Sequence, residues 1–158
     1  IKEAIDVKTQ MLKNNVRVNQ VTYATLIKGI IDTGRPIEEA ELQVDEMRTR
    51  GLLRNNSIYS TLIAAYAKKK DLRGIVKSIR YMKQENVEPN SYTHHTILLG
   101  IISCDTLEAA RDYLKEIEGT LDTNILHNSM MKAYVDANEF EQSFQLLQEM
   151  KKTRKLRP

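Results

Sequence analysis

A chain of 158 residues that is 41% hydrophobic can bury a core, yet no apolar run approaches the roughly 20 residues of a membrane-spanning helix, so no membrane partner is expected. The formal charge of +3 is misleading, because Lys151, Lys152, Arg154, Lys155 and Arg157 crowd into the acid-free last eight residues and leave residues 1–150 with 19 cations against 21 acids. A body of net charge −2 excludes polyanion binding by global charge and requires local placement of cations, while the single Cys104 excludes an intrachain disulfide and suits a reducing compartment.

Residues 1–19 read as a lone second helix from Ile1 to about Asn14, with an apolar face of Ile1, Ala4, Ile5, Met11 and Leu12. Because the chain begins inside that helix, at Ile1 and without a signal-like segment, it is expected to be a fragment of a longer array. Residues 20–55 supply the clearest unit. Tyr23, Leu26, Ile27, Ile30 and Ile31 line one face of a helix. Gly34 stands where a left-handed stop belongs, and Pro36 can occupy the first turn of the next helix. Ile37, Ala40, Val44 and Met47 then restart the spacing, with acids early and Arg48 and Arg50 late, as the helix dipole favours. Gly51 ends the unit.

Residues 56–90 repeat the pattern, with Asp71 placed to cap a helix at Leu72 and with Gly74 as a weak point in it. Residues 91–123 form a shorter unit in which Asp105 and Glu108 make a capping box for a helix from Thr106 to about Glu118. Its closing loop, Gly119 to Thr123, is about two residues short, so the superhelix is expected to deviate there. Residues 124–158 give a last hairpin, roughly Leu126 to Ala137 and Phe140 to Lys152, and a basic tail. Pro158 falls in the register of Pro89, so the array is expected to continue.

The copies align. Val21 to Ile27 returns as Ser57 to Ile63, and in weaker form as Tyr92 to Leu98 and Ile125 to Met131. Successive Met11, Met47, Met82, Ile117 and Met150 lie 36, 35, 35 and 33 residues apart. Two helices per period of about 35 residues describe an all-α solenoid, since one hairpin cannot bury its apolar side alone.

With these residues in hand, the chain resembles a pentatricopeptide-repeat array. The likeness runs along the whole chain and is most specific in VTYATLIKGI with GRPIEEAELQVDEMRTRGL, and in SIYSTLIAAYAKKKDLRG with Met82-Lys83 and Val87 to Asn90. A tetratricopeptide repeat would place a Trp in its first helix, and this chain has none. The resemblance implies a right-handed superhelix that holds single-stranded RNA on its first helices, one base per repeat. It implies base reading by Ala24 with Asn55, Ser60 with Asn90, His95 with Thr123, and Asn128, with Asn19 closing the first partial repeat. Base clamping falls to Val21, Ser57, Tyr92 and Ile125, and phosphate contact to Lys68 and Lys69. The Ser60/Asn90 pair resembles the family's adenine readers. Departures are plain as well: Ala24 has no polar atom, His95 is bulky, and the places equivalent to Lys68 hold Asp32, Ser103 and Asp136.

The family setting is a mitochondrion or chloroplast, with roles in RNA processing, stabilisation, splicing or translation. A rival expectation is a protein-interaction scaffold or structural component of an organellar ribonucleoprotein, such as a mitochondrial ribosome, and the acidic body favours it. No catalytic residue, cofactor, metal or small-molecule substrate is expected. His94 and His127 fill the aromatic slot of Tyr23 and Tyr59 and read as core, Cys104 reads as a turn residue, and the Met series reads as inner-face packing.

Overall fold

The computed structural model describes residues 1–52, 55–104, 106–118 and 123–155, with side chains to Lys152. Its helices are α1 (Lys2–Lys13), α2 (Gln20–Asp32), α3 (Ile37–Thr49), α4 (Asn56–Lys68), α5 (Leu72–Gln84), α6 (Ser91–Ser103), α7 (Leu107–Glu116), α8 (Asn124–Asp136) and α9 (Phe140–Lys155). α7 is shorter at both ends than the helix expected from Thr106 to Glu118. The Asp105 half of the expected capping box, the loop residues 119–122 and the end of the basic tail lie outside the described residues.

Six helix ends turn in one way. After α1, α2, α3, α4, α5 and α8 a residue of positive φ follows the C-cap: Asn15, Gly34, Gly51, Lys70, Asn86 and Asn138. In each, the amide one further on returns to the third-last helical carbonyl, as Arg35 does to Ile30 at 3.2 Å and Asp71 to Tyr66 at 3.0 Å. This paired bonding satisfies carbonyls that would otherwise be orphaned, and it favours Gly and Asn because they tolerate the left-handed region. Met11, Met47 and Met82 hold the third-last place, and Val16, Leu52 and Val87 supply the returning amides. The recurring Met is therefore set by the turn as well as by the core.

First helices α2, α4, α6 and α8 touch in sequence, and each second helix meets its own first helix and the following one. This puts first helices on one face and second helices on the other. The core runs between the layers, through Tyr23, Ile27, Met47, Tyr59, Ile63, Ile75, Met82 and Ile97. Among the described residues, no helix is long and apolar enough to cross a membrane.

Two features depart from the simple apolar pattern. The residue of α1 that is buried is Lys8, 4% exposed, whereas Ala4 is exposed and Ile1, Ile5, Met11 and Leu12 are half-buried. Lys8 Nζ lies 2.7 Å from Gln43 Oε1, pairs with Glu46, and sits 5.1 Å from the centre of the Tyr23 ring. Its methylene stem covers apolar surface while α3 and the ring receive the charge. Burial pushes the Tyr23 phenol up to about 12, helped by its bond to Glu46. Burial pulls Glu46 upward, but hydrogen bonds from Lys8 and Tyr23 outweigh it and hold the carboxyl below its ordinary range.

The second departure is Gly74. A Cβ there would lie 2.2 Å from Cδ1 of Tyr66, so the glycine makes room for that ring to lie against α5. The Tyr66 hydroxyl then reaches Glu41, which also takes Lys77 at 2.6 Å. Large Ile75 stands where other second helices carry a small residue, and it faces Gly100 of α6, whose added Cβ would come within 3.0 Å.

Helix propensity alone makes Gly74→Ala stabilising by about 1 kcal/mol. The Tyr66 ring reverses that sign, and Gly74→Ala is expected to cost about 1–3 kcal/mol in a urea titration; a raised midpoint would show that the ring moves freely. Glu46→Ala leaves the Lys8 ammonium buried without its acid and is expected to cost roughly 2 kcal/mol, with Lys8→Met costing less. Because the Glu46 carboxyl is depressed in the fold, its contribution is present above the ordinary carboxylate pKa and is lost as pH falls through the folded value. Equal losses for the two variants would remove the stranded-charge explanation.

Candidate nucleic-acid interface

Each first helix starts at an Asn cap where the chain supplies one. Asn19, Asn55 and Asn90 accept the amides of Thr22, Ser57 and Thr93 at 3.1, 2.8 and 2.9 Å through their side-chain oxygens. Capping uses the acceptor half of each side-chain amide and leaves its NH₂ half to donate elsewhere. Thr123 differs, for its side chain does not cap α8; it is buried, and its carbonyl accepts from His127 Nδ1 at 2.8 Å.

One residue after the helix start stand the expected clamps. Val21, Tyr92 and Ile125 are 70%, 69% and 67% exposed, and Ser57 is exposed as well. Exposed large apolar side chains thus recur at one register of α2, α6 and α8, with the polar Ser57 between them on α4. A turn further on, Thr25, Thr61, Thr96 and Ser129 donate to the carbonyls of Val21, Ser57, Tyr92 and Ile125 at 2.7 to 3.0 Å. These hydroxyls are thereby committed to the backbone. Lys68 and Lys69, exposed, form the last residue and C-cap of α4, where the helix dipole favours cations. Lys28 and Lys132 lie seven residues after Val21 and Ile125, hence on the same helix face, and are exposed.

The slots between first helices are unequal. Between α2 and α4 lies a depression of about 280 Å³ that brings together Val21, Ala24, Asn55 and Ser57, with Lys28 on its wall. Between α4 and α6, Ser60 is 3% exposed and donates to Thr93 Oγ1 at 3.1 Å. Thr93 Oγ1 lies 2.9 Å from Asn90 Oδ1 and 3.1 Å from Asn56 Oδ1. Ser60 and Asn90 are thus joined through Thr93. Between α6 and α8, His95 Nε2 lies 3.0 Å from Ser129 Oγ. Since that hydroxyl donates to Ile125 O, the contact fits a His95 protonated on Nε2. His95 and Thr123 are not brought together by any described bond, and Asn128 is exposed.

Residues 54–102 match the PPR repeat family, and residues 125–153 match the PPR repeat. The chain belongs to the pentatricopeptide-repeat family. A chloroplastic pentatricopeptide repeat-containing protein of Arabidopsis thaliana is 31% identical over 67% of this chain and 11% of its own length. A mitochondrial one from the same plant is 22% identical over 82% of this chain and 27% of its own. The chain therefore spans well under a third of these relatives. The crystal structure of the pentatricopeptide repeat protein PPR10 from maize, at 16% identity, superposes with a TM-score of 0.80 over 95% of this chain and 22% of that one. The fold is the expected right-handed α-solenoid.

Within this pentatricopeptide array the aromatic slot holds polar pairs that tie the two helix layers. Tyr23 donates to Glu46 at 2.9 Å and His94 Nδ1 meets the Tyr113 hydroxyl at 2.7 Å, whereas the buried Tyr59 hydroxyl has no hydrogen-bond partner among the described residues. Burial pushes His94 below its ordinary value and Tyr113 above its own. Cys104 is the half-buried C-cap of α6. Among the described residues no group of three His, Cys, Asp or Glu side chains could hold a metal ion.

Lys28, Lys132 and Thr93 escaped the sequence reading. The two lysines were legible as clamp register plus seven, but Thr93 was not, because its importance lies in which helix faces it.

Burial lowers the His94 pKa in the fold, so its contribution is complete above the ordinary histidine pKa and fades as pH drops through the lower folded value. The melting temperature is expected to fall between pH 7 and pH 5, and His94→Gln should flatten that interval. An unchanged slope would assign the pH response to other groups.

Proposed function

We propose that this segment binds single-stranded RNA, without catalysing a reaction, on the face formed by α2, α4, α6 and α8. The observation that carries this reading is the recurrence of exposed Val21, Tyr92 and Ile125 at one register of the first helices, Val21 at the edge of the α2–α4 depression. Bases that are unstacked from one another can insert against such residues, and helical repeats then read their edges with a few side chains each. Ala24 with Asn55, Ser60 with Asn90, His95 with Thr123, and Asn128 are the proposed reading residues, with Asn19 serving the first partial repeat. Ser57 completes the clamping set, and Lys68 and Lys69 take phosphate. Chloroplastic and mitochondrial relatives support an organellar setting, in processing, stabilisation, splicing or translation of transcripts.

A second reading, a scaffold within an organellar ribonucleoprotein, is favoured by a groove of about 920 Å³ along α6 to α9. It is lined by Ile102, Leu107, Ala133 and Tyr134 beside the acids Glu108, Asp136 and Glu139, a lining suited to a protein surface.

Selection of the chain against a randomised single-stranded RNA pool separates the two. Enrichment of a sequence supports the reader, and its absence supports the scaffold. Stacking contributes roughly 1–3 kcal/mol per base, so affinity for so few repeats will be modest. Ser60→Ala with Asn90→Ala is expected to weaken only RNAs that carry adenine at the matching place; equal loss for all four bases would sink that assignment.

A further inference from the structure

The reading places of adjacent repeats do different things while no RNA is bound. Ser60 and His95 bridge to the next first helix, through Thr93 and Ser129. Ala24 has no atom with which to bridge, and among the described side chains no hydrogen bond joins α2 to α4. Packing agrees at the Ser60 slot, where α4 and α6 meet far more extensively than α2 and α4 do, whereas α6 and α8 meet about as sparsely as α2 and α4 despite the bond from His95 to Ser129.

The open depression has a distinct lining. Ala24 and Ile58 present apolar surface, and Thr25 and Thr61 have spent their hydroxyls on the backbone. Asn55 uses its oxygen on Ser57 N and keeps its NH₂ as donor. Lys28 forms no ion pair among the described residues, and it stands on the wall of this slot.

We infer that the α2–α4 slot is the first-occupied nucleotide site of the segment, that Lys28 is its phosphate contact, and that Ser60 holds the next slot closed until a base displaces its partner, with His95 bonded across the slot after it. The inference rests on the RNA-binding reading and deepens it. The open slot accepts a base against Ala24 and Val21 with the Asn55 NH₂, the Ser57 hydroxyl and the Lys28 ammonium as adaptable donors, so it discriminates weakly between bases that carry an acceptor edge. The Ser60 slot discriminates more strongly, because a base must replace the bond to Thr93 with one of its own.

The test is a titration of the 158-residue chain with a short oligouridylate, followed by amide NMR. Shifts are expected first at Val21, Ala24 and Lys28, and at Thr93 and His95 only with longer RNA at higher concentration. Shifts that begin at Thr93 or His95 while Lys28 stays silent overturn the inference and leave RNA binding intact. Absence of shifts anywhere at high RNA concentration overturns both. In parallel, Lys28→Ala should weaken binding about 3- to 10-fold and make the log–log salt dependence shallower by about 0.7, the single-strand increment for one phosphate contact; an unchanged slope removes Lys28 from the site. Ala24→Met should fill the slot and abolish the early shifts. Thr93→Val, with its fold checked by melting, should tighten binding of RNA long enough to reach the second slot by about 3- to 10-fold, and weaker binding would show that the bridge does not oppose entry.

Discussion

The turn that closes α1, α2, α3, α4, α5 and α8 sets the terms for everything else. A residue of left-handed conformation follows the C-cap, and the next amide returns to the third-last carbonyl. This satisfies the helix end, reverses the chain within a few residues, and repeats after first and second helices alike. Hairpins of nearly constant shape follow, and stacking such hairpins leaves one layer of first helices and one of second helices. Where a turn uses Lys70 rather than Gly or Asn, the same bonds still form, to Tyr66 and Ala67. The backbone pattern is therefore stronger than the preference of any one residue for it.

The start of each first helix couples architecture to recognition. Asn19, Asn55 and Asn90 are needed as caps, and capping orients their amides with the NH₂ group free. A reading residue that must also cap a helix offers donors to a ligand and keeps its acceptor for the backbone. Thr123 does not cap with its side chain and is buried. The fourth first helix therefore presents a different set of atoms, although Ile125, its proposed clamp, is as exposed as Val21.

Most of the architecture was legible because it rests on local rules. The faces of α2 and α3, the stops at Gly34 and Gly51, and the Asp71 cap, which accepts Gly74 N at 3.0 Å, all follow from residues within one turn of each other. What was not legible depends on residues of other helices, as far as 38 positions away. Lys8 sits at an apolar register because Glu46 and Gln43 of α3 receive it. Gly74 is a poor helix former explained by the ring of Tyr66 in the preceding helix. The burial of Ser60 follows from Thr93 in the next repeat, so a residue of apt chemistry for reading a base turned out to face a neighbouring helix. Spacing finds which residues share a face; it does not report how closely the next helix approaches that face.

That distinction bears on how affinity and selectivity divide along the groove. Replacing the Ser60–Thr93 bond by a bond from Ser60 to a base exchanges one neutral hydrogen bond for another, and such exchanges are worth little in net free energy. A wrong base breaks the bond and returns nothing, leaving buried polar groups unpaired, which is costly. Under the proposed reading the closed slot therefore contributes discrimination with small affinity. The exposed clamps and the cations contribute the reverse, since stacking and charge neutralisation tolerate any base. On the proposal made above, an array that joins an open, tolerant slot at Ala24 to a closed, selective one at Ser60 captures a strand through the first and tests it at the second.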